Sequence, residues 1–189
     1  NLTSVKLSCS ITSIPSGTFS FFRNLRQINI PSTVKNIGKG VFYECTALTS
    51  IELPDGITEI GDSAFYFTGL ATINMPNSIT DIGSHAFYYC KLTSIDIPKS
   101  VKSIKKSTFA SCFNLNSVIL HEGLTDIGER AFNYCRGLES LKIPNSITNI
   151  GEYAFAECTE LTSIEFPEKL KNIGPSAFYG CSKLTSIKI

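Results

Sequence analysis

Residues 138–160 read L-E-S-L-K-I-P-N-S-I-T-N-I-G-E-Y-A-F-A-E-C-T-E, and the chain writes close variants of that line eight times. The opening leucines are Leu2, Leu25, Leu48, Leu70, Leu92, Leu115, Leu138 and Leu161, with Leu184 starting a partial ninth unit. The period is 23 residues, shortened to 22 from Leu48 to Leu70 and again from Leu70 to Leu92. A fixed period in the twenties is the signature of a solenoid, one coil per repeat, in which each coil packs only on its neighbours.

Numbering each coil from its leucine, positions 4 and 6 are apolar throughout: Ile51 and Leu53, Ile95 and Ile97, Leu141 and Ile143. Positions 3 and 5 between them are mostly polar, which is the alternation of a half-buried strand. Proline follows in six units (Pro31, Pro54, Pro76, Pro98, Pro144, Pro167) and ends the strand, because it cannot donate to a ladder. Position 13 is Ile in all eight units, and a second short extended segment is expected there. Glycine at position 14 (Gly38, Gly61, Gly83, Gly128, Gly151, Gly174) is expected to bend the chain. A Phe stands at position 18 of every unit, and Cys or a substitute at position 21. That spacing suits one helical or 3₁₀ turn, too short to stand alone.

The pattern resembles the BspA-like class of leucine-rich repeats, L-x-x-I-x-L-P-x-x-L-x-x-I-x-x-x-A-F-x-x-C, over the whole chain. Departures are local: Ser8, Pro15 and Phe22 in the first unit, Thr68 for Cys in the third, Lys105 for Gly in the fifth, His121 for Pro in the sixth. The resemblance implies an α/β leucine-rich-repeat solenoid of eight 22–23-residue coils plus a partial ninth. Its parallel sheet would line the concave side, with helical turns on the convex side. It also implies a cell-surface or secreted protein, often an adhesin that binds host proteins. Residues 1–189 read as one elongated domain, and the uncapped ends suggest a piece of a longer protein.

Composition narrows the function classes. Net charge is +1 with acids and bases interspersed, so neither the basic face of a nucleic-acid binder nor a polybasic membrane anchor is present. No apolar run reaches the ~18 residues of a membrane span, so no direct membrane insertion is expected. The cysteines at position 21 (Cys45, Cys90, Cys112, Cys135, Cys158, Cys181) follow the repeat, not a metal-ligand spacing, and zinc needs ligands that converge. They are expected to be buried, reduced and unligated, with Cys9 an odd thiol outside the column. His85 and His121 fall in different parts of two coils and make no cluster. No G-x-S-x-G, P-loop or H-E-x-x-H motif occurs. Neither an enzyme nor a cofactor is expected.

The candidate surface is the row at position 5. Position 3 is nearly constant, mostly Ser, whereas position 5 varies: Glu52, Asn74, Asp96, Ile119, Lys142, Glu165. A flat row beside a variable one suits a large protein lying across the sheet, and a host extracellular-matrix or plasma protein fits the resemblance. A second candidate is an aromatic flank at Phe67 and Tyr89, since interfaces favour such residues. Two other readings stay open: a passive spacer without its own ligand, in which charges such as Lys142, Glu165 and Lys188 merely pair across strands, and, more remotely, a carbohydrate-binding or hydrolytic module.

Overall fold

The computed structural model describes residues 1–188, and it is a parallel β-solenoid. The front strands are Ser4–Lys6, Gln27–Asn29, Ser50–Ile51, Thr72–Ile73, Ser94–Asp96, Ser117–Ile119, Ser140–Lys142, Ser163–Glu165 and Ser186–Lys188. Each runs parallel to its neighbour with identical coil positions opposed, as in Ser140↔Ser163, Leu141↔Ile164 and Lys142↔Glu165. The front ladder comes in four hydrogen-bonded groups, two, two, two and three strands wide. A second row of two-residue strands, from Ser13–Ile14 to Asn172–Ile173, carries the position-13 isoleucines as expected. It forms two four-stranded ladders, with a break between Asp81–Ile82 and Ser103–Ile104.

The expected helical turn is absent among the described residues. The A-F segment is a run of tight turns, and its hydrogen bonds show why. At positions 16, 18 and 20 the backbone N–H points out of the coil and donates to the next one: Gly40 to Asp62 O (2.9 Å), Phe42 to Ala64 O (2.8 Å), Glu44 to Tyr66 O (2.8 Å). The intervening N–H groups donate back three residues, as in Tyr43 to Gly40 O (3.2 Å) and Cys45 to Phe42 O (3.1 Å). A helix would turn every N–H along its own axis. Here every second one goes sideways, and the backbone reaches that geometry by flipping into the left-handed region at positions 16 and 20. Thirteen non-glycine residues sit there with φ between 53° and 65°, among them Ser63, Phe67, His85, Tyr89 and Tyr134. Only Gly17, Gly40 and Gly180 occupy these two positions without a Cβ penalty.

The position-14 glycines do a different job from the expected bend. Their φ lies outside the left-handed region; they are there for close approach. A Cβ on Gly83 would lie 2.3 Å from Asp62 N, and one on Gly38 2.7 Å from Ile14 O. The N–H of each donates to the position-13 carbonyl one coil back, as Gly83 does to Ile60 O at 2.8 Å. Coil five has Lys105 at this place, and that is where the second ladder breaks. Lys105 Nζ instead reaches back to the Asp81 carboxylate at 2.7 Å.

Stacking then fills the interior. Eight phenylalanines form one column, from Phe19 to Phe178, with successive rings 5.2–5.7 Å apart and within 14° of parallel. The small residues before them are buried too, alanine at Ala64, Ala86, Ala131 and Ala154, with Val41 and Thr108 taking the same place in coils two and five. The cysteine column is buried from Cys45 to Cys158, with Cys181 half-buried and Cys9 exposed. The thiols are more than small hydrophobes. Each donates to the Phe carbonyl of the preceding coil: Cys112 Sγ to Phe87 O at 3.1 Å, Cys135 Sγ to Phe109 O at 3.2 Å. Thr68 in coil three donates instead within its own coil, to Phe65 O at 3.0 Å. Burial pushes the Cys45 thiol up to about 11 and Cys90 up to about 12, and drives Cys112 and Cys135 well above the ordinary thiol range.

Two expectations follow. Ser63→Gly relieves a left-handed Cβ and should raise stability by roughly 0.5–1 kcal/mol, whereas Gly83→Ala drives a methyl into backbone and should cost about 1–3 kcal/mol; denaturant midpoints of opposite sign check this. Native alkylation at pH 7.5 should modify Cys9 first and leave the buried column untouched. The buried thiols hold their protons to higher pH than they do unfolded. Their stabilisation is therefore complete below the ordinary value of 9.0 and declines as pH rises toward 11–12. Melts at pH 7 and 10 should show that loss.

Candidate functional site

Alternation along the front strands turns positions 3 and 5 outward, beside buried position 4. All six candidate residues of the position-5 row are exposed. The face is not flat. A trough of about 1090 Å³ lies over coils one to four, lined by Lys6, Arg26, Asn29, Glu52, Asp55 and Asn74 among others. A second, of about 870 Å³, lies over coils seven and eight, with Lys142, Glu165 and Lys169 on its walls. Both mix acids with bases. Between them stands Ile119, 48% exposed, opposite Asp96 in the ladder register.

The row's members have different freedom. Asn74 is committed to the fold: its side-chain amide donates to Leu53 O and its oxygen accepts from Leu53 N, both at 3.0 Å, completing a ladder that Ile51 and Ile73 leave short. Glu165 accepts from Lys188 Nζ at 2.7 Å, and that ammonium lowers the carboxyl's pKa. Lys142 lies opposite Glu165 in register but forms no ion pair among the described residues. Asp96 accepts a contact from His121 Nε2 at 2.7 Å. His121 replaces the strand-ending proline at position 7, two residues beyond Ile119, so it turns to the same face. Glu52 borders the first trough near Lys6 and Arg26.

The flank is a separate surface. Tyr43, Tyr66 and Tyr88 at position 19 stack at 4.5 and 4.8 Å, nearly parallel. Burial and the neighbouring phenols raise the Tyr66 pKa. At position 20, Phe67 and Tyr89 stack at 4.7 Å while remaining 38% and 42% exposed. Phe113 meets Tyr89 edge-on at 5.2 Å, and the Arg136 guanidinium lies 5.5 Å from the Phe113 ring. Phe113 and Arg136 escape a position-by-position reading, because both stand at position 22, where the residue type changes from coil to coil.

None of the curated proteins matches this chain. Among solved structures, the leucine-rich repeat protein of T. pallidum (TpLRR) is 22% identical, with a TM-score of 0.61 over 84% of this chain and 77% of that one. The pneumococcal vaccine antigen PcpA is 17% identical, with a TM-score of 0.63 over 98% of this chain and 56% of that one. A leucine-rich repeat protein from Eubacterium ventriosum is 23% identical, with a TM-score of 0.52 over 98% and 66%. These likenesses show the fold. The family model for the BspA type leucine rich repeat region matches residues 1–112 and 80–189, in 6 copies. Together the two ranges take in every coil, and the chain belongs to the BspA-type leucine-rich repeat family.

Proposed function

We propose that this chain is a protein-binding module of a cell-surface or secreted protein, and that it adheres to host or other extracellular proteins through its front, concave sheet. The observation that carries the reading is Ile119. It is an apolar side chain half in solvent, at the centre of a strand row otherwise polar, framed by the Asp96–His121 pair and by Lys142. An apolar centre with a charged rim is the usual anatomy of a protein contact. The troughs on either side give a partner relief to engage, with charges of both signs to set its orientation. Family membership and the likeness in fold to the pneumococcal vaccine antigen PcpA support a surface or secreted setting. A host extracellular-matrix or plasma protein is the partner class most consistent with that setting.

Capture of matrix and plasma proteins on immobilised wild-type chain, followed by affinity measurement, tests the reading. Ile119→Lys should weaken the captured partner about tenfold or more, with an unchanged melting temperature, because the side chain points away from the core. Glu52→Lys and Asp96→Lys should each shift the affinity less. A partner that binds all three variants as it binds the wild type contradicts the concave-face reading. Failure to capture anything favours a spacer.

A further inference from the structure

The two 22-residue coils are consecutive, and both lose their residue at the same corner. The six 23-residue coils close that corner with a four-residue turn, seen in Leu48 N–H to Cys45 O (3.0 Å) and Leu115 N–H to Cys112 O (3.0 Å). Coils three and four run directly from Thr68 through Gly69 to Leu70, and from Cys90 through Lys91 to Leu92. Gly69 permits this, since a Cβ there would lie 2.4 Å from Thr46 O. The missing turns leave a notch of about 500 Å³ in the solenoid edge, bounded by full-length corners at Thr46 and at Phe113–Asn114. That volume falls within the range of ligand pockets.

The notch is lined by exposed aromatic rings and a cation. Phe67 and Tyr89 present their stacked rings into it, and Phe113 closes one end edge-on. No carboxylate lines it among the described residues, while Lys91 does. Arg136 stands beyond Phe113, over the Phe113 and Tyr134 rings. Among the described residues neither cation has an ion-pair partner. The nearest acid in the position-20 column, Glu44, is already held by Arg23 at 2.5 Å. The rim is therefore positive around an aromatic floor, on a chain whose net charge is only +1.

We infer that this notch is a docking site for an acidic protein segment that inserts an aromatic side chain. The inserted ring packs on Phe67 and Tyr89 against the Phe113 edge, and flanking carboxylates meet Lys91 and Arg136. The site lies apart from the Ile119 row, so it stands or falls independently of the front-sheet reading. The two one-residue deletions make it specific to coils three and four.

The chain has no tryptophan, so a tryptophan peptide reports its own environment. A blocked Gly-Glu-Trp-Glu-Gly peptide titrated with wild-type protein should show a saturable blue shift, with a Kd of about 1 mM or tighter. The matching Gly-Lys-Trp-Lys-Gly peptide should bind at least about tenfold more weakly. Tyr89→Ser and Lys91→Glu should each reduce binding by a similar factor. Insertion of one glycine between Cys90 and Lys91, which restores the 23-residue corner, should abolish it. Circular dichroism melts confirm that each variant is folded, and Ile119→Lys should bind the peptide normally. Equal binding by folded Tyr89→Ser and insertion variants overturns the proposal. So does equal affinity for the basic peptide, or binding of neutral oligosaccharides in place of the acidic peptide.

Discussion

The sideways turn of every second N–H in the A-F segment is the constraint on which the rest of this molecule depends. Each coil of 22 or 23 residues is built here from short strands and turns, and its backbone groups still need partners. The chain answers by alternating: one N–H closes a turn within the coil, the next joins the coil above. Two left-handed residues per coil are the cost, and each non-glycine one is worth about 1–2 kcal/mol. The return is a third ladder on the side where a solenoid of this kind has no strand. The phenylalanine column follows from it, because the ladder sets successive coils at a spacing that a column of stacked rings fills. The thiol of position 21 then finds a Phe carbonyl one coil back, so the cysteine column is a hydrogen-bonded seam as well as part of the core.

Once the ladders set the coils in identical register, surface residues line up in rows, and the rows differ in how much they vary. The front face varies at position 5 and keeps position 3 small in every coil but the second, where Gln27 stands. The flank varies in shape instead, through the lengths of coils three and four. A repeat protein thus has two ways to make one place unlike the others: change a side chain within the register, or change the register. Ile119 is an instance of the first and the Phe67–Tyr89 notch an instance of the second.

The period, the leucine and isoleucine columns, the front strands and the buried cysteines were all legible, because each is a side-chain preference repeated at least six times along the chain. The turn geometry was not. A-F-x-x-C has a spacing that also suits a helical turn, and the left-handed positions are filled by Ser, His, Arg, Tyr, Phe and Glu, with glycine in only three places. Those three glycines were the available signal. The position-14 glycines looked like bends because sequence shows that a side chain is missing, not whether a dihedral or a neighbour requires it. In the candidate site, the alternation correctly turned Glu52, Asp96, Ile119, Lys142 and Glu165 outward. It could not show that Asn74 would spend its amide on Leu53, and reading His121 only as a lost proline hid its contact with Asp96.

The central claim is where the position-18 amide sends its hydrogen. Scalar couplings transmitted through hydrogen bonds report donor and acceptor directly, in a deuterated ¹⁵N,¹³C sample. The account predicts a coupling from the Phe42 amide nitrogen to the Ala64 carbonyl carbon, and the equivalent from Phe65 to Ala86 and from Phe132 to Ala154. Couplings from those amides to carbonyls four residues earlier in the same coil, the mark of a helix, would contradict it.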